Sequence, residues 1–255
     1  MQPASTPSVR ALTDGLVVGS ERPILTYHVA TTGERFDLTA ADLGSWTART
    51  ATMLQDGYRL GEGDQAAVLL PAHWQTAAVL LGAWSIGMSV AVRPWATAGL
   101  PPDPADDGPV QAVFVSLPRL NSWLEDVPEA PYRFVLGLAP QAGLLDDVPD
   151  GYLDYLAEVR KHPDTTPDYR SRQHAGPATP DGTSYQEWMD LAQGLAATLN
   201  LRAGDRLLVD ADRNEQPVKW LLAPLSVGAS IVLCSGLDPD GLKEHATAEG
   251  ATHVM

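Results

Sequence analysis

The sequence predicts an α/β protein, built from two pseudo-symmetric β-α-β halves that form mainly parallel sheets layered with helices. Three observations carry that expectation. Laid over itself at an offset of 141 residues, the chain repeats: Gly63 and Asp64 fall on Gly204 and Asp205, Val68 on Val209, Gln75 on Gln216, Leu80 and Leu81 on Leu221 and Leu222, Ser85 on Ser226, Gly87 on Gly228 and Ser89 on Ser230. Nine of the thirty positions from 63 to 92 are identical without a gap, where unrelated segments of average composition share roughly two. Within each copy, continuous apolar strands alternate with helices, the pattern of a parallel sheet covered on both faces.

Each copy opens with an amphipathic helix, residues 40–54 and 184–199, whose apolar side chains recur at helical spacing (Leu43, Trp46, Met53, Leu54; Trp188, Leu191, Leu195, Leu199). A Gly-Asp turn follows, in which Asp64 and Asp205 are expected to bond backbone amides. Next come a strand (66–70; 206–210), a second helix rich in Leu and Trp (74–86; 216–227) and a last strand (88–92; 229–233). Gly87 and Gly228 stand where a helix ends in a left-handed residue, a conformation glycine adopts without a Cβ penalty. Strands are also expected at 24–29, 34–38, 110–116 and 133–138, and a short helix at 152–160. The stretches 94–109 and 161–180, rich in Pro and Asp, read as surface connections. The chain is expected to be one domain over residues 1–255, its first half at about 20–150 and its second at 151–255.

Composition excludes several functions. Seventeen basic residues against thirty-two acidic ones leave a net charge of −15, which repels a phosphate backbone and makes nucleic acid an unexpected partner. Only Lys161, Lys219 and Lys243 are lysines, so a mechanism that needs one has few places to find it. The single cysteine, Cys234, lies in an apolar run and can form no internal disulfide. The apolar stretches 77–92 and 221–234 are shorter than the roughly 18 uninterrupted residues of a membrane span. The first 19 residues lack a basic start followed by an apolar run, so no signal peptide is read and a cytoplasmic location is expected.

The runs FDLTAADL (36–43), GEGDQAAVLLP (61–71) and LLGAWSIG (80–87), in that order, resemble the opening of the AMP-binding, adenylate-forming enzymes. These comprise the acyl-CoA synthetases, non-ribosomal peptide adenylation domains and luciferases. The resemblance covers about residues 20–255 and extends to a subgroup of short proteins distantly similar to those enzymes. It implies a fold of two similar α/β halves followed by further subdomains, and it accounts for the internal repeat. It also implies a phosphate loop of the form SGTTGxPKG, whose glycines admit triphosphate oxygens to backbone amides and whose lysine neutralises them.

At the corresponding position, before the second helical unit, this chain has Gly176, Pro177, Ala178, Thr179, Pro180, Asp181, Gly182, Thr183 and Ser184. Two prolines remove amide donors and Asp181 adds negative charge where phosphate would sit. The candidate positions of a degenerate phosphate loop are thus Gly176, Thr179, Asp181, Gly182, Thr183 and Ser184. The histidine that the family carries after the next strand is replaced by the run containing Asp210, Asp212, Arg213 and Asn214, which with Thr179 to Ser184 is expected to border a cleft between the halves. His73 matches a structural loop of the family and reads as a helix-start residue. Thr31, Thr32 and Gly33 imitate the signature in letters only and read as a hairpin turn between two extended runs. The family's adenine- and ribose-holding segments and its C-terminal domain with the catalytic lysine are expected to be missing from the chain.

Other chemistry is sparse. No HExxH, no CxxC pair and no carboxylate-histidine spacing suggests a metal, and the six histidines are scattered. The strings around Ser89 and Ser230 lack the second glycine of a hydrolase elbow. Trp46, Trp84, Trp188 and Trp220 sit on helix faces and read as core, whereas Trp95 and Trp123 lie in loops and suit a partner or ligand surface. The acidic clusters at 103–107 and 146–150 read as solvated charge. No catalytic residue, metal or cofactor is expected, and ATP or AMP binding is expected to be poor. The leading expectation is a non-catalytic relative of adenylate-forming enzymes that binds a protein partner or self-associates. Its rivals are one part of a split ligase completed by another polypeptide, and a structural or regulatory partner protein.

Overall fold

The structure is a computed structural model that describes residues 22–100, 108–124, 126–165, 176–238 and 241–255. The N-terminal 19 residues, the acidic cluster at 103–107 and His174 lie outside the described residues. The described residues begin with a hairpin, β1 (Pro23–Val29) and β2 (Arg35–Thr39). Its turn is closed by the Gly33 amide on the Val29 carbonyl (2.8 Å), with Gly33 at φ 73°, so the Thr-Thr-Gly string is the expected hairpin turn.

The helix Ala40–Thr52 that follows begins with a reciprocal cap between Thr39 and Asp42 and runs into one π-helical turn, Met53–Gly57. Then follow β3 (Gln65–Leu69), the helix Trp74–Ser85 and β4 (Ser89–Val92). The second copy repeats this order with the helix Tyr185–Thr198, β8 (Arg206–Asp210), a helix in two parts and β9 (Ser230–Ser235). Between the copies lie β5 (Ala112–Ser116), β6 (Tyr132–Leu136), β7 (Leu153–Asp154) and the helix Tyr155–Val159. The helix Leu242–Ala248 and β10 (His253–Val254) close the chain.

The repeat holds at the level of single bonds. Asp64 Oδ2 accepts from the Gly61 amide at 2.9 Å, and Asp205 Oδ2 from the Arg202 amide at 2.7 Å. Gly63 and Gly204 have φ 92° and 87°, Gly87 and Gly228 have φ 82° and 76°, and even the left-handed non-glycine residues pair, Arg59 with Asn200. Where the copies differ, a local cause is visible. From helix cap to strand the first copy spans 26 residues (Thr39 to Gln65) and the second 22 (Ser184 to Arg206), and the four extra residues fall at the π turn. The second helix of copy two, expected as one helix over 216–227, is a π turn, Val218–Leu222, joined to a short α-helix, Ala223–Ser226. Pro224 has no amide to give the Trp220 carbonyl, and the hydrogen-bond ladder is widened in the turn before it.

Among the described residues ten strands form two sheets, the first ordered β4-β3-β5-β6-β7 and the second β10-β8-β9-β1-β2. All ladders are parallel except the β1–β2 hairpin. The sheets do not divide where the chain does. β1 and β2, early in the sequence, complete the second sheet through β1 against β9, and β7, at residues 153–154, lies at the edge of the first.

Alternation along the strands sets the layers. Ala66, Val68, Ala112, Phe114, Leu207, Val209, Ile231 and Leu233 turn inward to one core shared by both sheets and their helices, together with Trp74, Trp84 and Trp220. Ala67, Leu69, Val113 and Val115 form a separate cluster on the outer face of the first sheet. Leu208, Val232 and Cys234 do the same on the second, under the helix Leu242–Ala248. No helix among the described residues is long and apolar enough to cross a membrane.

Candidate functional site

The segment from Gly176 to Ser184 folds back on itself. Pro177 and Ser184 form an antiparallel bridge, the Ala178 amide donates to the Thr183 carbonyl (2.7 Å), and the Gly182 amide donates to the Thr179 carbonyl (3.1 Å), with Gly182 at φ 90°. Asp181 Oδ1 accepts from the Thr179 hydroxyl (2.6 Å) and the Thr183 amide (3.0 Å), and these bonds hold its carboxyl below the ordinary aspartate range. Ser184 caps the helix Tyr185–Thr198, its hydroxyl accepting from the Glu187 amide (3.2 Å) while Glu187 Oε2 accepts from the Ser184 amide (2.9 Å). The Ser184 bonds likewise hold the Glu187 carboxyl low. The amides of Ala178, Gly182 and Thr183 are therefore spent within the segment and that of Ser184 on Glu187, and two carboxylates stay ionised beside them. The segment docks on the first half: the Ala178 carbonyl accepts from the Val90 amide (2.9 Å) and Trp84 Nε1 (3.2 Å), and the Tyr185 hydroxyl donates to the Met88 carbonyl (2.6 Å).

Asp210, Asp212, Arg213 and Asn214 form a turn at the carboxyl end of β8. Asp210 Oδ1 accepts from the Asp212 amide (3.1 Å), Asn214 Nδ2 donates to the Asp210 carbonyl (3.0 Å), and Arg213 Nε lies 3.4 Å from Asp210 Oδ2. Asp212 Oδ2 accepts from the Gly236 amide (2.7 Å), tying the turn to the loop after β9. The next residue matters more than any of the four. Glu215 receives the amides of Trp95 (2.6 Å) and Ala96 (3.1 Å) on its two carboxylate oxygens, clasping the loop after β4 to the loop after β8.

The two candidate groups meet the first half at different points. Ala178 meets the first sheet at Val90, near the start of β4, whereas Glu215 meets the backbone at Trp95, beyond its end. Sequence reasoning passed over Glu215, because a glutamate in an acidic loop gives no sign of a contact 120 residues away. Trp95, expected at a partner surface, is 44% exposed, with the buried Arg119 guanidinium 5.4 Å from its ring centre. Trp123 is 90% exposed.

On the inner side of these loops His73 caps the helix Trp74–Ser85, as expected, its Nδ1 accepting from the Gln75 amide (3.1 Å). Tyr27 of β1 meets its ring at 4.2 Å, joining the second sheet to the loop after β3. Burial drives its pKa down to about 3, with a smaller opposing pull from the Leu138 backbone. Such a ring is too weak a base for acid-base work at neutral pH. A groove of about 470 Å³ at the other end of β3 is lined by Asp56, Arg59, Glu62 and Asp64 among others, a largely acidic wall. Among the described residues no cluster of three or more His, Cys, Asp or Glu could hold a metal ion.

Several solved structures share the architecture. A fatty acyl-CoA synthetase from Mycobacterium tuberculosis superposes with a TM-score of 0.69 at 16% identity, over 97% of this chain and 49% of that one. The N-terminal domain of FACL13 from the same organism gives 0.66 at 16% identity, over 97% and 62%. A Brucella canis acyl-CoA synthetase gives 0.71 at 20% identity, over 100% and 48%. The chain thus has the fold of the N-terminal part of acyl-CoA synthetases and spans about half the length of the full synthetases it matches. No family model matches it. A curated Mycobacterium tuberculosis relative, a TIGR03089 family protein, is 33% identical over 239 residues, covering 91% of each chain. The chain belongs to the TIGR03089 family.

Proposed function

We propose that this chain is a non-catalytic relative of the adenylate-forming enzymes and uses their α/β scaffold for binding or assembly. The observation that carries the reading is the closed hairpin from Gly176 to Ser184. Its four bonded amides have no free N–H to offer a phosphate, and Asp181 and Glu187 stand ionised where a lysine would be needed. A phosphate brought beside either carboxylate would meet like charge, a repulsion that solvent and salt weaken because both side chains are exposed. His73, the buried histidine at the strand ends, is held neutral by its surroundings and fills a helix cap. The loops after β4 and β8, clasped by Glu215 and bearing Trp95, are the surface left for a ligand or partner.

Thermal-shift titration of the purified chain with ATP, AMP and CoA tests this. The expected result is no shift beyond about 1 °C at millimolar ligand, because a specific ligand raises the melting temperature by mass action. Stabilisation by micromolar ATP would overturn the proposal. Pyrophosphate release that appears only after a second polypeptide is added would replace it with a split ligase.

A further inference from the structure

The helix Leu242–Ala248 is held on the outer face of the second sheet by a small apolar core, in which Ala246 and Leu242 cover Leu208, Val232 and Cys234. Beside that core lies an ionic cluster. Glu249, just past the helix, pairs with Arg35 of β2 and with Arg206 of β8, the latter at 3.1 Å. Arg35 also holds Asp37 at 2.8 Å, and Asp37 accepts from the Thr26 hydroxyl at 2.6 Å.

His28 of β1 sits within this ring of charge. Its Nδ1 is buried, makes no hydrogen bond and lies 3.9 Å from Glu249, while its ring meets His245 of the helix edge-on at 5.5 Å between centres. Cys234 is its neighbour across the ladder, with Asp210 facing Cys234 from β8. Lys243 and Glu244, on the helix itself, are exposed. Two imidazoles therefore face each other, one from the sheet and one from the helix, and the carboxylate nearest His28, that of Glu249, is shared with two arginines.

We propose that the His28–His245 contact is an acid-operated latch: protonation of His28 releases the helix Leu242–Ala248 and uncovers the apolar strip of Leu208, Val232 and Cys234. Charging His28 would set a cation beside Arg35 and against the His245 ring, with burial withholding the water that stabilises it. Burial, then His245 and Arg35, press the His28 pKa below its ordinary 6.5, and Glu249 opposes them. A histidine depressed in the folded state contributes its stability above pH 6.5 and loses it progressively as the pH falls below. In the released state both rings return to water. For one such group the opening equilibrium rises by at most about tenfold between pH 7.5 and 5.5.

Cys234, the one cysteine of the chain, is buried under the helix and reports opening. Its labelling by an aromatic disulfide, divided by the rate for the urea-unfolded chain at the same pH, gives a protection factor. In the intact protein this factor is expected to fall from pH 7.5 to 5.5 by about twofold or more, up to the limit of about tenfold, with unchanged far-UV circular dichroism and little dependence on urea. His28→Gln and His245→Gln, made separately so that one failing to fold leaves the other, should each reduce the fall to less than about half of that in the parent protein. Equal protection at both pH values, the full fall surviving in both variants, or a urea dependence as steep as that of whole-molecule unfolding would overturn the latch.

Discussion

At the scale of single residues, the two copies solve one problem with different side chains, and the difference can be weighed. Both copies turn left-handed six residues before the strand begins, at Arg59 (φ 61°) and Asn200 (φ 57°). An L side chain other than Asn pays roughly 1–2 kcal/mol in that region, whereas Asn is tolerated there. Replacing Arg59 by Gly removes the strain but adds freedom to the unfolded chain, for a net stabilisation of about 0.5–1 kcal/mol. Asn200→Gly should change stability by less than about 0.5 kcal/mol. Urea denaturation of the two variants reads the contrast, and equal effects would mean that the turns are not energetically equivalent positions. The carboxylates that follow are matched more closely. Asp64→Ala and Asp205→Ala each remove an acceptor from one backbone amide and should each cost about 1 kcal/mol.

Whole elements show what a linear pattern can and cannot convey. Gly82 and Gly194 both lie inside helices, and propensity alone says that alanine would improve each by up to about 1 kcal/mol. A Cβ at Gly82 would lie 2.7 Å from Thr50 of the neighbouring helix, while one at Gly194 would meet nothing within 4 Å. Gly194→Ala should therefore raise the melting temperature, and Gly82→Ala should lower stability by about 1–3 kcal/mol through overpacking. The repeat made the strands, their phases and the positive-φ glycines legible, because identical residues recur where the backbone demands them. β7 and β10, two residues each, were not, since two residues carry no period. The π turn was hidden because Pro224 marks a missing amide without saying how the ladder adjusts. At the candidate site, Pro177, Pro180 and Asp181 already argued against a phosphate cradle in the sequence. The closure of Pro177 on Ser184 and the reach of Glu215 to Trp95 are tertiary, and no local pattern encodes them.

For the whole molecule the decisive feature is the crossing of β1 and β2 into the second sheet. Their alternating pattern marks them as strands but leaves their sheet open, and the answer makes the halves interdependent. β1 lies between β9 and β2, and Leu25 and Tyr27 enter the core shared with Trp74, Trp220 and Leu233. Residues 151–255 alone would leave the edge of β9 unpaired and a gap where Leu25 and Tyr27 pack. Losing two buried side chains of that size costs about 5 kcal/mol or more, comparable to the whole stability of a small domain. That fragment is therefore expected to be unfolded by circular dichroism, and the intact chain to unfold in one transition, with near- and far-UV signals changing together in urea. Two separated transitions, or a folded 151–255 fragment, would show that the halves are independent domains and that the hairpin from β1 to β2 is only an attachment.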